Sequence, residues 1–90
     1  MRYKVVATGN ADTVVESAPT ILRGVIVLTA GTAGFQVFDD SATPVNGQKI
    51  YGSLASLALG VVSPWVDIPC TTGIVVHNSL LGAELLVIYD

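Results

Sequence analysis

The sequence is short of charged residues. Asp, Glu, Lys and Arg make up 12% of its 90 residues, whereas 51% are hydrophobic and the mean hydropathy is +0.66. Ordinary soluble domains carry about 25% charged residues, and a body this small exposes a large share of its surface. Too few polar groups remain to cover the exterior, so we expect a membrane or another protein to cover part of it.

Long apolar segments are also missing. The charge-free stretch from Tyr51 to Val66 is interrupted by Gly52, Gly60 and Pro64, whereas a spanning helix needs about 20 mainly apolar residues. The opening residues pass directly into polar ones, so no hydrophobic signal segment is predicted. With a membrane excluded, the remaining partner is a protein, and further copies of the same chain are the simplest choice.

Basic residues and cysteines are scarce as well. Arg2, Lys4, Arg23 and Lys49 are the four basic residues, they are scattered, and the formal net charge is −3. A surface that binds phosphates needs several clustered cations, which argues against nucleic-acid binding. The single cysteine, Cys70, cannot form an internal disulfide, so a reducing compartment is expected.

Catalytic side chains are few. The single histidine, His77, would have to act on a nucleophile such as Cys70, but the residues before Cys70 contain no glycine-rich elbow. We therefore predict that Cys70 is a small buried hydrophobic residue and that His77 lies on the polar face of a strand. No glycine-rich phosphate loop is present, so neither an enzyme nor a cofactor is predicted.

One segment could supply oxygen ligands to a calcium ion. Asp39 and Asp40 are followed by Ser41 and Thr43, and calcium takes six to eight oxygen ligands. The spacing of an EF-hand and its closing glutamate are absent. A strand that ends in a turn explains the adjacent aspartates equally well, so no metal site is predicted.

The residues that are present favour β-structure. Val, Ile, Thr, Phe and Tyr fill short runs, and Gly, Pro, Asn, Asp and Ser separate these runs. Regularly spaced short strands are typical of sandwiches and barrels. We predict one all-β domain, residues 1–90, built as a small antiparallel, jelly-roll-like β-sandwich. The predicted strands are Tyr3–Ala7, Thr13–Ser17, Leu22–Thr29, Phe35–Asp39, Gln48–Gly52, Trp65–Ile68, Ile74–Asn78 and Glu84–Tyr89.

The segment 53–60 leaves three interpretations open. Leu54 and Leu57, with Ala58, have a spacing that suits a short helix ending at Gly60. A helix this short needs packing to be stable. A strand or an extended loop suits the same residues.

Two predicted strands are apolar without alternation. Val25–Leu28 and Leu85–Ile88 show the pattern of strands that are covered on both faces. A chain of 90 residues has nothing of its own left to cover the second face of such a sheet. A neighbouring subunit is therefore expected to do so.

The chain also shows a weak internal similarity. Gly24–Val27 followed by Phe35–Asp39 parallels Gly73–Val76 followed by Leu86–Asp90. Each half is interpreted as a hairpin with an apolar strand, a small-residue turn and a strand that ends in an aromatic residue and Asp. The alternative is that any two hairpins with β-branched strands look alike.

Aromatic residues are few, and one of them is a candidate contact anchor. Trp and Tyr are favoured at interface hot spots because they bury a large area and keep one polar group. We predict that Trp65 anchors an interface, and the alternative is that it caps the core. The predicted interface residues are Trp65, Tyr51, Leu54, Leu57 and Leu59.

Six segments of the chain form a combination found in a known group of proteins. They are Arg2–Lys4, Leu22–Val27, Gly31–Gly34, Phe35–Ser41, Gly47–Ile50 and Ala83–Asp90. This combination resembles small tailed-phage virion proteins of the head decoration, cement or head-fibre type. One departure is that 53–64 is richer in leucine than is usual in that group.

This resemblance implies a function. It implies a β-sandwich or jelly-roll-like module, commonly a homotrimer, which is made in the host cytoplasm, binds the major capsid protein lattice on the outside of the head and stabilises the shell. Two alternatives remain. One is a phage tail or head-fibre module that binds a receptor or glycan, and the other is a cellular β-sandwich interaction domain unrelated to phage.

Overall fold

The computed structural model describes residues 1–7, 11–29, 31, 34–42, 47–53, 66–78 and 84–90. Its secondary structure is made of eight β-strands, which confirms the predicted all-β class. Within the described residues, no helix is long and apolar enough to cross a bilayer. The strands are β1 Arg2–Val6, β2 Ala11–Glu16, β3 Thr20–Thr29, β4 Phe35–Asp39, β5 Gln48–Ser53, β6 Ile68–Cys70, β7 Ile74–Asn78 and β8 Glu84–Tyr89.

The strands form two antiparallel sheets. The first sheet has the order β1-β8-β3-β6, and the second has the order β2-β7-β4-β5. The pairs β1/β8, β2/β7, β3/β6 and β4/β5 are all present, which is the pairing of one long antiparallel ribbon that has been rolled up. This is the topology of a jelly roll, in which two Greek keys form a two-sheet sandwich. The predicted jelly-roll-like sandwich is confirmed.

The two predicted hairpins are wrong. β3 pairs with β6 and β8, and β4 pairs with β5 and β7, so β3 and β4 belong to different sheets. β7 and β8 are likewise in different sheets. Crossing from one sheet to the other allows the apolar inner faces of both sheets to pack against each other. Turn residues mark where a strand ends, but they do not select its partner.

Three strands, β4, β7 and β8, have the predicted bounds, and the sixth strand is displaced. It was expected at Trp65–Ile68 but lies at Ile68–Cys70, with Pro69 opposite Ile21. A proline is tolerated there because β6 is an edge strand, where a missing N–H group interrupts no central ladder. Of the uncertain segment 53–60, only Ser53, which ends β5, is among the described residues.

The core lies between the inner faces of the two sheets. Its side chains are mostly β-branched or leucine, and alternate residues of the strands supply them. Burial of these groups is the main source of stability in a sandwich of this kind. The core residues are Val6, Val15, Leu22, Val25, Val27, Phe35, Val37, Cys70, Ile74, Val76, Leu85, Val87 and Tyr89.

Candidate interaction surface

The outer face of the first sheet carries apolar side chains on three adjacent strands. Val5 lies opposite Leu86, and Leu86 lies opposite Ile26. Residues directly opposite each other in a ladder place their side chains on the same face. The flanking residues Val6 and Leu85 are in the core, so this row points away from the core.

A second row lies beside the first. Tyr3 is opposite Ile88, and Ile88 is opposite Gly24. Leu28 continues the outer face along β3. We call this surface the apolar outer face. Its residues are Tyr3, Val5, Ile26, Leu28, Leu86 and Ile88.

The apolar outer face is partly open to solvent in the single chain, although Ile88 is only 8% exposed. Tyr3 is 62% exposed, Val5 51% and Leu28 36%, and Ile26 and Leu86 are half-buried. β3 and β8 are therefore covered by the core on one side and incompletely on the other. Cover from a neighbouring subunit stays a prediction, and this is the surface to which it applies.

An ion cluster borders one end of this face. A β-bulge places Arg23 between Leu22 and Gly24, and its guanidinium donates to the carboxylates of Asp67 and Asp90. These hydrogen bonds, first with Asp90 and then with Asp67, raise the pKa of Arg23. The bond from Arg23 is also the main reason that the pKa of Asp90 is lowered. The guanidinium of Arg23 is therefore paired within the chain.

Arg2 connects the edge strand to both sheets. Its Nη2 donates to the carbonyl oxygen of Asp90 at 2.7 Å, and its Nη1 donates to Glu16 on β2. The guanidinium also lies 4.7 Å from the ring centroid of Tyr89, a distance suited to a cation–π contact. Arg2 therefore holds β1 in place through contacts on the side of the strand that faces away from Tyr3 and Val5.

The carboxylate oxygens of Asp39, which the sequence offered as possible calcium ligands, accept hydrogen bonds from the chain itself. The Asp39 carboxylate accepts hydrogen bonds from the backbone N–H groups of Thr71 and Thr72, both at 2.9 Å, and from their hydroxyl groups at 3.0 and 2.9 Å. Burial raises the pKa of Asp39, but these four hydrogen bonds outweigh it and lower the pKa to about 2. The carboxylate connects the end of β4 to the β6–β7 turn.

Asp40 has a similar structural role. Its Oδ1 accepts from the N–H of Ser41 at 2.7 Å, and its Oδ2 accepts from the N–H of Gly47 at 2.8 Å. These bonds close the connection between β4 and β5, and Thr43 lies outside the described residues. Among the described residues, no group of three or more His, Cys, Asp or Glu side chains is arranged to hold a metal ion.

Cys70 and His77 do not meet. Cys70 is 2% exposed and belongs to the core, and burial followed by the negative charge of Asp39 raises the pKa of its thiol. His77 follows the core residue Val76, so it lies on the outer face of the second sheet, where its Nδ1 is 2.7 Å from Oδ1 of Asp12. The second sheet separates the two side chains, so they cannot form a nucleophile–base pair.

The predicted interface residues fall largely outside the described part of the chain. Tyr51 is described: it lies opposite the core residue Val37, and its ring centroid is 6.2 Å from that of Phe35. It therefore packs against the core and is half-buried. The remaining four, Trp65, Leu54, Leu57 and Leu59, lie outside the described residues, so their role stays a prediction.

Sequence reasoning missed Tyr3 and Val5 as surface residues. The signal was present, because Arg2 and Lys4 alternate with Tyr3 and Val5 along β1. A period of two places the cations on one side and the apolar pair on the other. Which side faces the core follows only from the pairing with β8.

Comparison of the chain with protein-family models, with curated proteins and with solved structures gives no match.

Proposed function

We propose that the protein is a structural virion protein that binds the outside of a phage head as an oligomer and stabilises the shell. The observation that carries the proposal is the apolar outer face, with Tyr3 and Val5 more than half exposed. A contiguous apolar surface on a small protein marks a site of protein–protein contact. The jelly-roll topology supports the proposal because this fold recurs in viral capsid domains.

The stabilising action needs no chemistry. A protein that binds the assembled shell and not its free subunits shifts the equilibrium towards the shell by mass action. The β-branched residues Val5 and Ile26 have restricted side-chain rotamers, so ordering them at an interface costs little entropy. The resemblance favours a trimer as the oligomer.

The first test is the state of the purified protein. We expect light scattering at micromolar concentration to give a mass that is a multiple of 9.3 kDa. Mixing the protein with expanded heads that lack it should then give heads that carry the protein and melt at a higher temperature. A protein that stays monomeric and does not sediment with heads contradicts the proposal.

The same preparation tests the two alternatives. Binding to a glycan array without binding to heads supports the tail or head-fibre alternative. A gene that lies outside any phage structural region supports a cellular interaction domain. Tyr3 is the exposed aromatic side chain of the described residues, and its cross-strand neighbour Ile88 is apolar, which does not favour a glycan site.

A further inference from the structure

We propose that the free edge of β1 binds an extended protein segment in which apolar and acidic side chains alternate. The segment adds a fifth strand to the four-stranded first sheet. In this mode of recognition, main-chain hydrogen bonds provide affinity and alternate side chains provide specificity. Binding of such a segment does not require self-association, so it goes beyond the proposed function.

The edge of β1 is accessible. β1 lies at the end of the order β1-β8-β3-β6, and among the described strands β8 alone pairs with it. In an antiparallel ladder, alternate residues direct their N–H and C=O groups away from the partner strand. One row of main-chain groups of β1 therefore faces outward, and the four consecutive residues Arg2–Val5 are all exposed.

β1 is also the regular edge of the sandwich. Its register with β8 is unbroken from Arg2 to Val6, and it contains neither proline nor glycine. The other three edges are interrupted by Pro69 in β6, by the extra residue Val15 in β2 and by the extra residue Ile50 in β5. Proline and bulges at an edge hinder the addition of a strand. Among the described strands, β1 is therefore the edge that offers an uninterrupted template.

The two sides of β1 specify the side chains of the added segment. Tyr3 is 62% and Val5 51% exposed on the outer side, and the two-residue period places Arg2 and Lys4 on the other side. Residues directly opposite each other in a ladder lie on the same side of the sheet. A matching segment therefore has apolar residues opposite Tyr3 and Val5 and acidic residues opposite Arg2 and Lys4.

Lys4 is the cation that is available to such a segment. Arg2 already donates to Glu16 and to the carbonyl oxygen of Asp90. Every Asp and Glu of the sequence is among the described residues, and no ion pair in this part of the chain involves Lys4. A carboxylate opposite Lys4 therefore gains a partner without breaking an existing ion pair.

The same cations disfavour a second copy as the partner. β1 carries two of the four basic residues of the chain and none of its seven acidic residues. An antiparallel pairing of two β1 strands centred on Tyr3 places Arg2 opposite Lys4, and one centred on Lys4 places Lys4 opposite itself. Like charges directly opposite each other are destabilising. The edge therefore favours a segment of different sequence that carries carboxylates.

The test uses two short fluorescent peptides of equal length, one alternating valine with glutamate and the other alternating valine with lysine. Fluorescence anisotropy measures the dissociation constant of each peptide for the wild-type protein. We expect the glutamate peptide to bind about fivefold more tightly or better, because opposite charges facing each other across a ladder are favourable and like charges are not. Lys4→Glu should reverse this preference. If Lys4→Glu does not fold, Lys4→Gln should reduce the difference between the two peptides.

Two controls separate strand addition from general attraction between charges. Lys49→Glu makes the same change in charge on β5, an edge that carries an extra residue, and it should keep the wild-type preference. A glutamate peptide with methylated backbone nitrogens keeps its carboxylates but cannot donate hydrogen bonds to the edge, so we expect it not to bind. Far-ultraviolet circular dichroism checks that each variant keeps its strands.

The results decide between the possibilities. Preference for the glutamate peptide that Lys4→Glu reverses, that Lys49→Glu leaves in place and that backbone methylation removes supports strand addition at β1. Undiminished binding of the methylated peptide, the same preference in the folded Lys4 variants, or no binding of the glutamate peptide at millimolar concentration overturns it. Light scattering of the same samples records self-association separately, so the failure of either proposal is distinguishable from the failure of the other.

Discussion

The hydrogen-bonded carboxylate of Asp39 gives the sharpest prediction about stability. Asp39 lies at the end of β4 and accepts four hydrogen bonds from Thr71 and Thr72. These bonds are stronger when Asp39 is ionised, so protonation of Asp39 should weaken the junction between the second sheet and the β6–β7 turn. The perturbation is Asp39→Asn, which keeps the size of the side chain and removes the charge.

The magnitude follows from the pKa. A decrease from 3.8 to about 2 for Asp39 corresponds to roughly 2 kcal/mol in full, and we expect about 1 kcal/mol because the group is partly exposed to solvent. An asparagine amide also turns one donor group towards the N–H donors of the turn, which adds about 1 kcal/mol. We therefore expect Asp39→Asn to lower the free energy of unfolding at pH 7 by about 2 kcal/mol.

The dependence on pH has a definite sign. The pKa of Asp39 is lower in the folded state, so its contribution is complete above about pH 4 and is lost as the pH falls towards 2. As the pH falls, the wild-type protein loses the stability that the ionised Asp39 contributes, whereas Asp39→Asn has no such contribution. The difference in free energy of unfolding between the two proteins should therefore decrease by about 1 kcal/mol from pH 7 to pH 2.

The assay is urea denaturation at a series of pH values and one fixed protein concentration. Asp67→Asn is the matched control, because it makes the same chemical change at a more exposed position. We expect Asp67→Asn to lower the free energy of unfolding by less than Asp39→Asn does. We also expect its stability to keep the dependence on pH that Asp39 gives the wild-type protein. A difference between wild type and Asp39→Asn that is the same at pH 7 and pH 2 would refute the reasoning.

Two further predictions concern the same end of the molecule. Gly73→Ala should lower the free energy of unfolding by about 3 kcal/mol or prevent folding. The reason is that Gly73 has a φ of +156°, and an added Cβ would lie 2.3 Å from the carbonyl oxygen of Glu16 and 2.6 Å from that of Asp40. Thermal unfolding measures this effect, and an unchanged melting temperature would contradict it. Cys70 should react slowly with a thiol reagent at pH 8 in the folded protein and rapidly in urea, because burial raises the pKa of its thiol and leaves it 2% exposed; equal rates in both states would contradict the buried position.

The positions of the strands are largely encoded locally. Phe35–Asp39, Ile74–Asn78 and Glu84–Tyr89 have the predicted bounds. In each case a β-branched or aromatic run ends at a turn residue or at a change to polar sequence. The sequence also showed that β3 and β8 are apolar on both faces. In the structure one face of each strand lies in the core, and the other belongs to the apolar outer face.

The pairing of the strands is not encoded locally. The prediction of two hairpins failed because a run such as Val25–Leu28 contains no information about whether its neighbour is β4, β6 or β8. That choice depends on burying two inner faces at once, which is a property of the whole sandwich. The displacement of the sixth strand to Ile68–Cys70 has the same origin, since Pro69 is acceptable only because β6 lies at an edge.

The sequence by itself determined the fold class, the number of strands and the shortage of polar groups for the exterior, because these depend on composition and on a two-residue period. Only the tertiary structure decided that Thr71 and Thr72 supply the donors to Asp39 and that Arg23 joins Asp67 to Asp90. Thr71 and Thr72 are 32 and 33 residues from Asp39 along the chain, and Asp67 and Asp90 are 44 and 67 residues from Arg23. The rolled topology of the sandwich brings these partners together.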